Sequence, residues 1–202
     1  MRFICYTVSH FLSLCIGFRS STLINLFCFL LRGQPPDTPR QGSSAAPDVF
    51  KRKAKHDADA HGAMVAGTSA GAAVMSLVMI TGNELKHPDY ASTFRNIEAD
   101  NIETKTGLGM LRTAIIDQHF VKRSRHNRLI SAVIEYPEML CIGIDESTAI
   151  LVRNNKAEVI GESQVLVYSN PMKSKKVKDG KLGAQGLQLD IYLPGNTFEI
   201  DE

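Results

Sequence analysis

Ser69 stands in Gly67-Thr68-Ser69-Ala70-Gly71, a G-x-S-x-G run with a short apolar stretch before it and a helical pattern after it. A serine held on a tight turn between a strand and a helix presents its hydroxyl as a nucleophile. At neutral pH that hydroxyl needs a base, usually histidine. The base in turn needs an acid to hold its tautomer and stabilise the imidazolium. His119 and Glu146 have the right chemistry for those two roles. The backbone N–H of Ala70, one residue past the nucleophile, is the natural first donor to a tetrahedral oxyanion. Each residue also has a plainer reading. Gly, Ser and Ala crowd ordinary strand-to-helix turns, His119 could be a structural histidine at a strand end, and Asp145-Glu146 could cap the next segment.

The elements around these residues decide whether they can meet. Gly62 to Ala66 reads as a short buried strand, and Ala70 to Met79 as a helix whose small residues sit close against that strand, ended by Ile80-Thr81-Gly82-Asn83. Thr113 to Ile116 is a second apolar strand, closing at Asp117-Gln118-His119. A basic amphipathic helix follows, with Arg123, Arg125 and Arg128 on its polar side and Leu129, Ile130 and Val133 opposite, and Pro137 stops it. Leu140 to Ile144 is a third buried strand, ending at Asp145-Glu146. Thr148 to Arg153 and Glu158 to Gly161 alternate like a hairpin around Asn154-Asn155, and Val165 to Tyr168 and Leu187 to Leu193 are further strands. Ser69, His119 and Glu146 thus each follow the end of an apolar strand. In open α/β sheets, ligands bind beyond the carboxyl ends of the strands, so parallel neighbours would bring all three side chains to one rim. The order Ser, His, acid differs from the α/β-hydrolase order Ser, acid, His and argues against a lipase or esterase.

Four stretches in combination resemble the cyanophycinases and their relative, the aspartyl dipeptidase peptidase E. They are Gly67 to Ser76, Thr106-Gly107-Leu108-Gly109, Asp117-Gln118-His119-Phe120 and Gly143-Ile144-Asp145-Glu146. The tail with Leu193-Pro194-Gly195 is similar too, and the resemblance spans residues 62–202. It implies an α/β fold with a mostly parallel sheet flanked by helices, like class I glutamine amidotransferases, and a β-rich C-terminal extension. It implies a Ser69-His119-Glu146 triad acting without metal or organic cofactor. It also implies Gln118 at a substrate-binding position, and Arg123, Arg125 and Arg128 as the R-x-R-x-x-R pattern of the substrate pocket. The implied substrate is cyanophycin, polyaspartate with arginine on each β-carboxyl group, or a related aspartyl peptide. Guanidinium groups pair with carboxylates in a bidentate way that lysine cannot. Arg123 and Arg128 are the two expected to reach the site; a solvated helix face is the plainer reading.

Residues 1–61 carry no such resemblance, and the glycine-rich G-G-x-Q loop of the family, which helps form its oxyanion hole, has no counterpart there as such. The expectation is a divergent or misread N-terminal segment before an incomplete catalytic domain at 62–202. Two functions follow: an active serine peptidase, or a catalytically impaired relative that binds such peptides without turnover. A thiol amidotransferase on the same fold is disfavoured, because the elbow carries Ser69 and Cys141 lies mid-strand.

The bulk properties narrow little further. At 202 residues and 44% hydrophobic the chain can bury a real core, and a net charge of +2 is too small to argue for nucleic acid or membrane as partner. The four cysteines form no C-x-x-C pair, so a zinc site is not expected, and scattered thiols fit a reducing, cytoplasmic compartment. Neither apolar run, Phe3 to Phe18 or Leu23 to Leu31, reaches the ~18 uninterrupted apolar residues of a membrane span. The first could be a signal peptide, which would mean secretion, or a buried strand. A homodimer is left open.

Overall fold

The computed structural model describes residues 2–6, 65–89 and 94–200. The expectations for Leu23–Leu31, for the proline-rich stretch and for the basic run at Lys51–Lys55 lie outside the described residues, as does most of the first apolar run. What is described of that run, Arg2–Tyr6, is a strand, β1.

The chain then enters β2 (Val65–Thr68), turns through Ser69 and makes a helix of only four residues, α1 (Ala70–Ala73). Val78–Glu84 is a strand, β3, paired antiparallel with β4 (Ile102–Thr106). The helix expected to run to Met79 is therefore cut short. Val78, Ile80 and Thr81 are β-branched and lose side-chain freedom in a helix, whereas they pack well on a pleated surface. The second apolar strand is β5 (Ala114–Gln118), followed by α2 (His126–Glu135). The helix ends just before Pro137, as its fixed φ and missing donor require. Next come β6 (Leu140–Ile144), β7 (Thr148–Arg153) and β8 (Lys156–Gly161). Asn154 and Asn155 both have positive φ, 49° and 63°, the primed-turn geometry that matches the twist of a tight hairpin. β9 (Val165–Ser169), a short hairpin of β10 (Lys176–Lys178) and β11 (Lys181–Gly183), β12 (Gln188–Tyr192) and β13 (Thr197–Glu199) complete the chain.

The strands form a five-stranded sheet in the order β13-β8-β7-β1-β2, a four-stranded sheet in the order β12-β9-β6-β5, and two hairpins. The described residues form an α/β fold that is strand-rich with few helices. Among the described residues only β1/β2 and β5/β6 pair in parallel, and the remaining ladders are antiparallel. A mostly parallel sheet is therefore not what the described residues form. Within the four-stranded sheet β5, β6 and β9 are buried on both faces, and the period of two along each strand divides its residues between two clusters. Ile116, Ile142 and Ile144 point toward Ile150, Val159, Met75 and Met110. Ile115, Cys141, Leu166 and Tyr168 point toward Leu129, Ala132 and Val133 of α2. Beside β5, the buried Ser76 hydroxyl accepts the Ile116 N–H at 2.9 Å, a hydrogen bond the ladder does not supply there. No helix among the described residues is long and apolar enough to cross a membrane.

Candidate active site

The turn from β2 into α1 holds Ser69 at φ 52°, ψ −121°. A positive φ is unusual for a side chain other than glycine and persists only where the surroundings enforce it. Here they do. Gly67, two residues earlier, lies so close to the turn that a Cβ on it would overlap the Gly71 carbonyl oxygen. The Ser69 carbonyl accepts from Ala72 N–H at 2.9 Å and Ala73 N–H at 3.2 Å, which fixes the first helical turn. Among the described residues nothing requires glycine at position 71, where a Cβ would meet none of them.

His119 comes off the carboxyl end of β5, also at positive φ, 51°. Its Nε2 lies 3.1 Å from Ser69 Oγ and its Nδ1 lies 3.2 Å from Glu146 Oε1. With Nδ1–H donating to the carboxylate, Nε2 carries the lone pair that the serine proton needs. Glu146 follows β6, the parallel neighbour of β5, so the strand pairing itself sets base beside acid. Two features lock those strand ends together. Phe120 N–H donates to the Ile144 carbonyl at 3.2 Å, and the buried Phe120 ring covers Gly143 so closely that a Cβ there would overlap it.

The imidazole is held below its ordinary pKa, first by burial and then by the nearby Arg123 guanidinium and, less, by Arg125; the Glu146 carboxylate opposes them. A neutral imidazole is the form a general base requires. Ala70 N–H, at the first position of α1, has no backbone acceptor in the helix because helix N-termini leave their first donors unpaired. Gln118 Oε1 lies 3.5 Å from Ser69 Oγ.

The three arginines part company. Arg123 is exposed in the turn after His119, and its guanidinium makes no hydrogen bond or ion pair with the described residues. Arg125 and Arg128 are buried. Arg128 grips both carboxylate oxygens of Asp117, with Nε 2.8 Å from Oδ2 and Nη2 on Oδ1. Arg125 Nη1 reaches the Gln118 carbonyl at 2.5 Å and stands 3.5 Å from Asp117 Oδ1. Arg128 thus turns inward from the face on which helical spacing puts it, because only a buried guanidinium can balance the Asp117 carboxylate in the core. Sequence reading assigned Asp117 no role. The available signal was an acidic residue closing an apolar strand, with arginines eight and eleven positions later.

Cys141 is fully buried in β6, where burial first and the Asp117 carboxylate second push its thiol well up. It stays protonated and out of reach of a substrate. Among the described residues no group of three or more His, Cys, Asp or Glu side chains could hold a metal ion.

The tight turn at Ser69, with a strand-end histidine and acid beside it, is the arrangement to set against known families. The family model of peptidase family S51 matches residues 52–160, more than half of the chain, and the chain belongs to that family. Among curated relatives it is 36% identical over 143 residues to the cyanophycinase of Trichormus variabilis, covering 67% of this chain and 45% of that one. It is 38% identical over 138 residues to the cyanophycinase of Geminocystis herdmanii, covering 65% of this chain and 48% of that one. The chain spans less than half the length of these relatives. Among solved structures, a peptidase from an acI-B1 Actinobacterium matches with a TM-score of 0.42 at 21% identity, over 68% of this chain and 46% of that one.

Proposed function

We propose that the protein is a serine-type peptidase that cleaves cyanophycin-like β-aspartyl-arginine polymer or related aspartyl peptides. The observation that carries this reading is the continuous relay from Ser69 Oγ to His119 Nε2 and from His119 Nδ1 to Glu146. Ser69 Oγ attacks the scissile carbonyl carbon while His119 Nε2 takes its proton, and the oxyanion that forms turns toward the Ala70 N–H. Glu146 stabilises the imidazolium. The imidazolium then protonates the leaving amine as the C–N bond breaks. Water repeats the sequence on the acyl-enzyme, giving a carboxylate and restoring the Ser69 hydroxyl.

Arg123 is an exposed cation whose charge acts on the His119 imidazole, and it is the group we assign to a substrate carboxylate, with Gln118 beside the reacting carbonyl. Arg125 and Arg128 serve the substrate indirectly, through Asp117 and the Gln118 peptide. The class I glutamine amidotransferase-like arrangement belongs to the same reading; it is supported by the two parallel pairs, whose carboxyl ends carry nucleophile, base and acid. The test is incubation of the full chain with cyanophycin and chromatography of released β-Asp-Arg dipeptide. Release that falls to background in Ser69→Ala is the expected result. Binding without release, equal in both proteins, would identify a binding protein in place of an enzyme.

A further inference from the structure

Asp145 sits between the triad acid and the core, and the catalytic chemistry above makes no use of it. Its carboxylate is buried, with 8% of the residue exposed. Oδ1 accepts the Lys122 N–H at 3.0 Å, in the turn that carries His119. Oδ2 accepts the Ser163 hydroxyl at 2.9 Å, in the loop between β8 and β9. Ser163 extends the chain of bonds: its N–H donates to Thr148 Oγ1 at 2.9 Å, and that hydroxyl donates to the Glu146 carbonyl at 3.1 Å. The Glu162 N–H also donates to the Ser147 carbonyl at 3.0 Å. Two of the residues braced in this way are conformationally costly. His119 and Ser147 stand at φ 51° and 55°, and side chains other than glycine hold such angles only under external constraint.

We infer that Asp145 is a positioning residue for the catalytic relay: through Lys122 on one side and Ser163 on the other, its carboxylate sets the separation of His119 and Glu146. The strand pairing of β5 with β6 places those residues side by side, but both lie beyond the ladder. What fixes them there is this bridge together with the Phe120 N–H on Ile144. The inference rests on the serine-hydrolase reading of Ser69, so its test reads the relay without a peptide substrate.

The experiment compares Asp145→Ala, Asp145→Asn and Ser163→Ala in the full chain, by two measurements. One is the rate at which a fluorophosphonate labels Ser69, with Ser69→Ala as the blank. The other is the low-field proton NMR signal of the His119 Nδ1–H, assigned by its loss in His119→Gln. Asparagine keeps an oxygen for Lys122, and its amide can donate to a reoriented Ser163 hydroxyl, so Asp145→Asn should keep most of the labelling rate and the signal. Asp145→Ala should label about 100-fold more slowly, the scale of a misplacement near 1 Å, and lose the signal. Ser163→Ala, which removes one bond only, should fall between them and carries the comparison if circular dichroism finds Asp145→Ala unfolded. Wild-type labelling and an unchanged signal in folded Asp145→Ala or in Ser163→Ala would overturn the inference. A wild-type chain that takes no label at Ser69 overturns the hydrolase reading instead, and the Nδ1 signal still decides the role of Asp145.

Discussion

At the scale of residues, the imidazole of His119 is tuned by its surroundings. Burial and the Arg123 cation favour its neutral form, and Glu146 only partly offsets them. In the proposed mechanism the base works unprotonated, so a lowered pKa extends activity toward lower pH. The acid limb of kcat/KM should therefore lie below the ordinary histidine range. Arg123→Ala removes a repulsive charge, raises the pKa and should move that limb to higher pH; an unmoved limb would show that burial alone sets it. Gly143 offers a second test. Its missing side chain makes room for the buried Phe120 ring, which is attached to the backbone next to His119. Overpacking of this kind costs about 1–3 kcal/mol, so Gly143→Ala should lower the thermal midpoint by several degrees and reduce turnover together. Ser69, His119 and Glu146 were legible in the sequence because each is a chemically able side chain placed just past an apolar run. Asp117 was not, because its partners lie on the following helix and turn, where the resemblance assigned the arginines to the substrate pocket.

At the scale of elements, the central strands behave as their patterns predict and the helix after Ser69 does not. β5, β6 and the β7–β8 hairpin follow from short β-branched runs and from the Asn154-Asn155 turn. The long helix after Ser69 is absent because β3 finds a partner in β4, a pairing across sequence that local preference does not reveal. α2 matches its apolar spacing but is anchored on the other side by charge. Arg128 and Arg125 on Asp117 form a buried cluster whose members cannot be removed singly without stranding a charge. Breaking such a pair typically costs about 3–5 kcal/mol, so Arg128→Ala should show that loss in urea unfolding. A loss below about 1 kcal/mol, the worth of a surface ion pair, would mean that the cluster is hydrated.

At the scale of the whole molecule, stability is unevenly spread. Ile115, Ile116, Ile142, Ile144 and Ile150 are fully buried in β5, β6 and β7, whereas every residue of β10 is exposed. Amide exchange followed by mass spectrometry should be slowest in β5 and β6 and fastest in the β10–β11 hairpin, since local opening follows the burial of apolar contacts. Exchange in β6 as fast as in the hairpin would contradict the core described above. The sequence by itself determined the candidate residue types, their order along the chain and the strands they follow, because hydrophobic period and turn chemistry are local. It did so without any measure of which strands are neighbours. Only the tertiary structure decided that β5 and β6 lie side by side in parallel, that the other described strands pair mainly antiparallel, and that two of three arginines face the core. Those outcomes depend on contacts between residues far apart in the chain. For a buried carboxylate such as Asp117, the cost of leaving it unpaired outweighs the local preference of a charged side chain for water.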